Sequence, residues 1–443
     1  MRRTDEKFTA DMDWLTVLMY AAFVVTGWLN IFAAVYDPEA GRSIFDLTIN
    51  SGKQLLWIGT SIILIIVIVA IDYKFYSAFA YPIYGFMILL LIATIFLGTE
   101  IKGSHSWIKV GEFSVQPAEF AKFATALALA NYLGRINVKF ERLQTKLVCA
   151  ALIGLPGVII LLQNETGSVL VFSAFIFVLY REGLSPLFLI FGALAITVFV
   201  LTLLMDALLL TQCIGVISLL ILLYMAYQMF TNVVKKKERR LWPHFQKMLI
   251  VVFFAAAIIG IVQSVNYVVN NVLQAHQQKR IKVLFNPNAD PLGAGYNVTQ
   301  SKIAIGSGEF IGKGFLQGTQ TKFDFVPEQS TDFIFCTIGE EHGWLGSSLL
   351  ITMYVLFLMR LIFLAERQKD KFSRIYGYSV ASIIFFHFTI NIGMTMGLFP
   401  VIGIPLPFFS YGGSSLWSFT ILLFVFLKLD AHRRQVLGGN RLA

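Results

Sequence analysis

Gln54-Leu55-Leu56-Trp57-Ile58-Gly59-Thr60-Ser61-Ile62-Ile63-Leu64-Ile65-Ile66-Val67-Ile68-Val69-Ala70-Ile71-Asp72 carries no charge until its last residue. Wound as a helix, this run covers the roughly 30 Å of hydrocarbon that a bilayer presents. Comparable apolar segments stand at 14–36, 78–98, 117–134, 147–163, 167–181, 185–204, 206–230, 247–270, 332–365, 375–398 and 408–429. The pattern predicts an all-α polytopic membrane protein, a helical bundle of roughly 10–12 transmembrane helices. Composition agrees: of 443 residues 57% are hydrophobic and 14% charged, with 41 Phe and 7 Trp, and the mean hydropathy is +0.71. These values exclude a water-soluble surface, intrinsic disorder, a disulfide scaffold and an outer-membrane barrel of weakly alternating strands. Segment 14–36 is too long for the apolar core of a cleaved signal and no small-x-small site follows it, so it is expected to remain as a span. Cys149, Cys213 and Cys336 all fall in apolar stretches and read as packed thiols.

Charge orients the bundle. With the tail bearing Arg2, Arg3 and Lys7 in the cytoplasm, every second connection falls on one side. Those connections carry Lys74, then Arg135, Lys139, Arg142 and Lys146, then Arg181, the cluster Lys235, Lys236, Lys237, Arg239 and Arg240, then Arg367, Lys369, Lys371 and Arg374, and finally Arg433, Arg434 and Arg441. This is the positive-inside pattern, so both termini are expected in the cytoplasm. The net charge of +9 then reflects topology and contact with anionic membrane lipids, not a nucleic-acid partner. Spans 147–163 and 167–181 are parted only by Asn164-Glu165-Thr166, and 185–230 also reads as one broken hairpin, so parity is firmer than count.

Two connections on the opposite side are too long for simple turns, 99–116 and about 271–331. The larger is rich in Gly, Gln, Lys and Asp but interspersed with Ile303, Ile305, Phe310, Ile311, Phe315, Phe323 and Phe325. That mixture predicts an ordered lid or re-entrant element.

Four places hold polar groups at helix entrances, where an ionisable side chain is costly to place. In Gln116-Pro117-Ala118-Glu119-Phe120-Ala121-Lys122, Pro117 suits a first helical turn, and Glu119 and Lys122 share a helix face. A structural ion pair and a functional one are both open there. Glu165, in Asn164-Glu165-Thr166-Gly167, is either a solvated turn acid or a site residue. Arg280, with Lys279 and Lys282, leads into the stretch from Asn286 to Tyr296. Outer-face cations run against topology, which points to an anionic partner such as a lipid pyrophosphate, with interfacial snorkelling the plainer alternative. Asp332, in Pro327-Glu328-Gln329-Ser330-Thr331-Asp332-Phe333, opens a long apolar segment, where an acid also complements a helix dipole. Walker, HExxH and CxxC motifs are absent, and six scattered His make no metal site.

Several stretches together carry a resemblance. They are Trp107-Ile108, the Gln116 to Lys122 run, Asp290-Pro291-Leu292-Gly293-Ala294-Gly295-Tyr296, Gln300-Ser301-Lys302-Ile303-Ala304-Ile305-Gly306-Ser307-Gly308 and Gly318-Thr319-Gln320. They continue with Thr331-Asp332-Phe333-Ile334-Phe335, Gly339-Glu340-Glu341, Pro405-Leu406-Pro407 and Ser410-Tyr411-Gly412-Gly413-Ser414. In this order, over nearly the whole chain, they resemble the SEDS family (shape, elongation, division and sporulation) of RodA, FtsW and SpoVE, and its RodA branch most. The resemblance implies one SEDS-type membrane domain over 1–443 with an extracytoplasmic catalytic loop at about 271–331. The family typically has ten spans, so 185–246 is expected to add two.

The implied activity is peptidoglycan glycosyltransfer: lipid II is polymerised on the outer face of the bacterial cytoplasmic membrane during elongation, beside a class B penicillin-binding protein that cross-links the strands. The family's essential acid matches Asp332, its acid–base pair matches Glu119 and Lys122, and its outer-loop tryptophan matches Trp107. There are departures: Gln163-Asn164-Glu165-Thr166-Gly167 stands where Gln-Pro-Asp-Leu-Gly is usual, Gly308-Glu309 replaces Gly-Gly, and His342 replaces Leu.

Such a reaction needs one base for the acceptor hydroxyl and positive charge for the departing pyrophosphate. Asp332 is the expected base of an inverting transfer, which requires no second, nucleophilic carboxylate. Arg280, Lys302 and Lys313 are the expected pyrophosphate ligands, with Glu119, Lys122, Trp107 and Glu165 shaping the cavity. No cofactor is called for, although a divalent cation stays open. Two other classes remain at this stage: a lipid II flippase working by alternating access, and a non-catalytic scaffold of the elongation machinery.

Overall fold

The structure is a computed structural model, and it describes residues 11–37, 41–101, 104–111, 113–234, 242–272, 278–279, 283, 293–323 and 325–439. The chain divides into two units, Met1–Leu184 with Tyr296–Ala443, and Ser185–Gly295. The first opens with α1 (Trp14–Ala34), α2 (Asn50–Ala70), the short α3 (Tyr73–Ala78) and α4 (Ala80–Leu97). An antiparallel meander follows: β1 (Thr99–Ile101), β2 (Ser104–Val110) and β3 (Phe113–Val115), in the order β1-β2-β3, with Thr99 opposite Trp107 and Ile108 opposite Val115. Then come α5 (Pro117–Gly134), α6 (Leu143–Leu162), α7 (Thr166–Phe172) and α8 (Phe175–Arg181). The second unit holds α9 (Pro186–Leu204), α10 (Ala207–Val234) and α11 (Trp242–Tyr267). Completing the first unit are α12 (Ala294–Ser307), α13 (Thr319–Lys322), α14 (Ile334–Glu366), α15 (Lys371–Thr395) and α16 (Gly413–Gly439).

Among the described residues, nine helices are long and apolar enough to cross a membrane, and two shorter apolar helices, Thr166–Arg181 and Pro186–Thr202, join them. With α5 they occupy the twelve segments read from the sequence, and the chain is a polytopic helical membrane protein. Leu18, Ile62, Ile63, Ile66, Leu89 and Phe96 are exposed. Such outward apolar side chains suit a lipid solvent and would be a liability in water.

The most polar of these helices is also among the most enclosed. Ala118, Ala121, Ala124, Ala126, Ala128 and Ala130 of α5 are all buried. Small side chains let neighbouring backbones approach closely, which is how helices pack where lipid supplies no hydrophobic drive. Elsewhere in the first unit the core is aromatic: Tyr20 meets Phe408 and Phe424 edge-on at 5.1 Å, and Phe23 stacks on Tyr354 at 4.3 Å. In the second unit Val198, Leu210 and Val262 form the small buried cluster, and most other side chains face outward.

Several boundaries differ from the sequence expectation by a few residues. Helix α2 begins at Asn50, four residues before the apolar run, because Ser51 Oγ donates to Ile44 O at 3.1 Å and Gln54 Oε1 accepts from Gly412 N at 3.2 Å. Helix α16 begins at Gly413 rather than 408, because the preceding apolar residues form a turn. Residues 99–115 are the meander, not an irregular loop. Helix α14 is continuous in outline but kinked at Gly343 (φ 61°, ψ −155°). At the other end of the bundle, Asp13 caps α1 by accepting from Thr16 N at 3.2 Å, and Arg360 Nε donates to it at 3.1 Å.

Candidate catalytic site

Asp332 lies on the turn 328–332 that enters α14. The amides of Thr331 and Phe333 both reach the carbonyl of Glu328, at 3.1 and 3.2 Å, and Glu328 takes a φ of 56° to close the bend. A left-handed non-glycine residue persists only when its surroundings over-determine it. Here they do. Gln329 Nε2 donates to Ala34 O at the end of α1 (2.6 Å) and to Thr321 O in α13 (2.7 Å). Asn50 Nδ2 at the start of α2 donates to Ser330 Oγ at 3.0 Å.

A second turn, 403–411, braces the first. Ser410 Oγ donates to Thr331 O at 2.6 Å, and Tyr411 N donates to Ser330 O at 2.9 Å. From α15, Asn391 Nδ2 donates to both Asp332 O (2.9 Å) and Ile404 O (2.7 Å). Asp332 is half-buried, and a Cβ added at Gly403 (φ 81°) would stand 3.3 Å from its Oδ2. The glycine therefore leaves room beside the carboxylate as well as adopting the backbone shape.

Glu119 and Lys122 pair at 2.9 Å on the first turns of α5, and Lys122 is wholly buried. Lys122 Nζ also lies 2.8 Å from His387 Nε2 and 5.1 Å from the centre of the Phe419 ring. On the far side of the imidazole, Nδ1 is 3.1 Å from Pro405 O. A carbonyl oxygen only accepts, so Nδ1 carries the ring proton and Nε2 offers its lone pair to the ammonium. Ser418 Oγ of α16 donates to Glu119 O at 2.6 Å. The pair thus locks α5, α15 and α16 together. His387 and Asn391 are four apart on α15 and share a face, so that helix joins the buried pair to the turn bearing Asp332.

Glu165 serves the meander. Its Oε2 accepts from Ser104 Oγ and Ser106 Oγ, both at 2.8 Å, and its neighbour Gln163 accepts through its carbonyl from His105 N at 3.1 Å. These contacts hold β2, which carries the half-buried Trp107, against the link between α6 and α7. The meander is tied to α16 in turn: Ser414 Oγ accepts from Gln116 N at 3.1 Å and donates to Ser114 O at 3.4 Å.

Lys302 is exposed on α12, its side chain lying over Gly397 in the space a Cβ there would need. Beside it Ser301 Oγ donates to Thr395 O at 2.9 Å. One stretch, 395–405, therefore passes Lys302 at one end and Asp332 at the other. Lys313 is committed to a separate cluster, donating to Glu340 Oε1 at 2.6 Å and Thr319 Oγ1 at 2.8 Å. Glu340 is fully buried and also accepts from Gln320 N (2.8 Å), Thr321 N (2.9 Å) and Thr321 Oγ1 (2.9 Å). Arg280, Lys282, Asp290 and the rest of 284–292 lie outside the described residues.

Sequence reading passed over His387, Asn391 and the anchoring role of Glu340. A signal existed, since His387-x-x-x-Asn391 is polar at one-turn spacing inside an otherwise apolar helix. Among the described residues, no group of three or more His, Cys, Asp or Glu side chains is placed to share a metal ion. What the site does offer is a carboxylate on a braced turn at the mouth of a membrane-length helix, with the Lys302 cation of α12 lying against the loop that also borders that carboxylate. That combination suits proton removal beside an anionic leaving group.

The sequence profile of the FtsW/RodA/SpoVE family of cell cycle proteins matches residues 13–231 and 243–435. The peptidoglycan glycosyltransferase RodA of Treponema pallidum is 32% identical, over 96% of this chain and 98% of its own. The peptidoglycan glycosyltransferase MrdB of Escherichia coli K12 is 31% identical, over 95% of this chain and 92% of its own. Among solved structures, a chain from work on the structural coordination of polymerization and crosslinking by a peptidoglycan synthase complex superposes with a TM-score of 0.66 at 24% identity, covering 96% of this chain and 99% of that one.

Proposed function

The chain belongs to the FtsW/RodA/SpoVE family of cell cycle proteins and is a peptidoglycan glycosyltransferase akin to RodA, and we propose that Asp332 is the base with which it polymerises lipid II. The observation that carries the assignment is the bracing of the 328–332 turn from α1, α2, α13, α15 and the 403–411 turn, which fixes one carboxylate at the entrance to α14. Asp332 takes the proton from the acceptor sugar hydroxyl. The freed oxygen attacks the anomeric carbon of the donor, and the polyprenyl pyrophosphate leaves from the opposite face with inversion.

Pyrophosphate is a good leaving group once its charge is met. Lys302 is exposed for that purpose, and Lys313 keeps one N–H beyond those given to Glu340 and Thr319. Arg280 is the third cation in this assignment. Glu119 and Lys122 hold the helices behind the site, while Glu165 and the meander bearing Trp107 form its outer wall. The charge pattern supports cytoplasmic termini, which puts Asp332 on the outer face of the cytoplasmic membrane, where lipid II is presented. The whole chain acts as one SEDS domain, with 185–246 contributing two additional spans. A class B penicillin-binding protein is the assigned partner, in keeping with the synthase complex to which the fold is similar.

The test is glycan-strand formation from lipid II by the purified protein, alone and with a transpeptidase-dead class B penicillin-binding protein, comparing the native chain with Asp332→Asn. Long strands from the native chain and none from the variant, at equal complex formation, are expected. Equal strands from both would remove Asp332 as the base.

A further inference from the structure

We propose that His387 is a positioning residue for the transfer reaction, acting through Pro405 to set where the Asp332 carboxylate lies. The role rests on the reading of Asp332 as the base. His387 is buried and touches two things through its two nitrogens: the Lys122 ammonium at 2.8 Å and the Pro405 carbonyl at 3.1 Å. Pro405 adjoins Ile404, whose carbonyl shares the Asn391 amide with the carbonyl of Asp332. Two residues earlier, Gly403 borders the Asp332 carboxylate. The imidazole is thus wedged between a fixed ion pair on α5 and a loop that lies against the reacting acid. Its ring also meets Phe419 edge-on at 4.8 Å, which limits rotation about the side chain.

The chain of contacts has a direction. The Glu119–Lys122 pair is buried and carried on a tightly packed helix, so it is the stationary end. The 396–412 stretch is not helical, so it is the end that needs holding. A displacement of about 1 Å in a catalytic group can lower turnover by roughly a hundredfold, without altering how the substrate is bound elsewhere.

Two substitutions separate positioning from packing, because each keeps one half of the histidine. In His387→Asn the side-chain amide stands near the place of Nδ1 and can still donate to Pro405 O, while Lys122 loses an acceptor. In His387→Gln the amide oxygen stands near the place of Nε2 and can still accept from Lys122, while Pro405 O loses its donor. Each variant loses one buried hydrogen bond, so their thermal midpoints should fall by similar amounts. Turnover at saturating lipid II should fall at least about tenfold further in the Gln variant than in the Asn variant, with the half-saturating lipid II concentration unchanged in both.

Equal turnover in the two variants, lower turnover in the Asn variant, or losses that follow the thermal midpoints would overturn the proposal. Asp332→Asn is assayed alongside. If that variant still polymerises, the reading of Asp332 fails by itself; if it is inactive while the Asn and Gln variants at 387 are alike, only the role of His387 fails.

Discussion

One side-chain amide, that of Asn391, donates to the carbonyls of both Asp332 and Ile404, at 2.9 and 2.7 Å. The turn before α14 and the loop after α15 therefore cannot shift independently. Replacing Asn391 by Leu, which is close in size, leaves both carbonyls without that donor and should cost roughly 1–3 kcal/mol of stability. Turnover should drop by about tenfold or more. Strand formation at saturating lipid II, beside a melting curve in detergent, measures both effects.

Gly403 combines a left-handed backbone (φ 81°) with an empty side toward Asp332 Oδ2. An alanine there is strained by roughly 1–2 kcal/mol and also crowds the carboxylate. Gly403→Ala should fold and still form a complex with a class B penicillin-binding protein, yet lose most polymerisation. Wild-type rates from this variant would show that the space beside Asp332 is not used.

The buried Glu119–Lys122 pair makes a different kind of prediction. Lys122→Met strands a buried carboxylate and should destabilise by roughly 3–5 kcal/mol. Adding Glu119→Gln should restore part of that stability, since a neutral pair needs no counter-charge. Activity should recover only in part in the double variant, because His387 keeps its Nδ1–H on Pro405 O but no longer rests against the ammonium. Thermal unfolding and strand yield, taken on the native chain and both variants, test the two halves separately.

Glu340 gathers the amides of Gln320 and Thr321, the Thr321 hydroxyl and the Lys313 ammonium. Glu340→Ala removes the common acceptor, so α13 should open locally more often. Hydrogen exchange at Gln320 and Thr321 should speed by at least about tenfold, while exchange along α15 stays slow.

The Asp13 end of the bundle should respond to acid. Burial pushes the Asp13 carboxyl upward, but hydrogen bonds from Arg360 and Thr16 outweigh it and hold the group below its ordinary value of 3.8. A depressed folded value means the unfolded chain takes up the proton first, so the stabilisation is present at neutral pH. It is lost as pH falls below about 4 and through the lower folded value. The thermal midpoint of the native chain should therefore fall over that range by more than that of Asp13→Asn.

How much of this was legible beforehand varied with the kind of signal. Hydropathy and loop charge revealed the bundle, because apolar length and the sidedness of Lys and Arg are local properties. The motif around Gln116 to Lys122 exposed the ion pair through helix spacing alone. The meander was hidden: Thr99, Ser104, Ser106 and Ser114 are ordinary loop residues until Glu165, some sixty positions on, accepts two of their hydroxyls. His387 and Asn391 were hidden for the same reason, since their partners at 404, 405 and 332 come from other segments. Resemblance supplied Asp332, whose role no spacing argument could separate from that of a helix-end acid.

The turn bearing Asp332 is tied to Ala34 and Asn50 near one end of the chain and to Ser410 and Tyr411 near the other. During synthesis the early ties must wait for nearly four hundred residues to emerge before their late counterparts exist. A nascent chain inserted only up to α15 has Asp332 and the ties from Ala34, Asn50, Thr321 and Asn391 but lacks those from Ser410 and Tyr411. Alignment of Asp332 is therefore expected among the later steps of assembly, and a truncation before residue 403 is expected to leave the acid on an incompletely held turn.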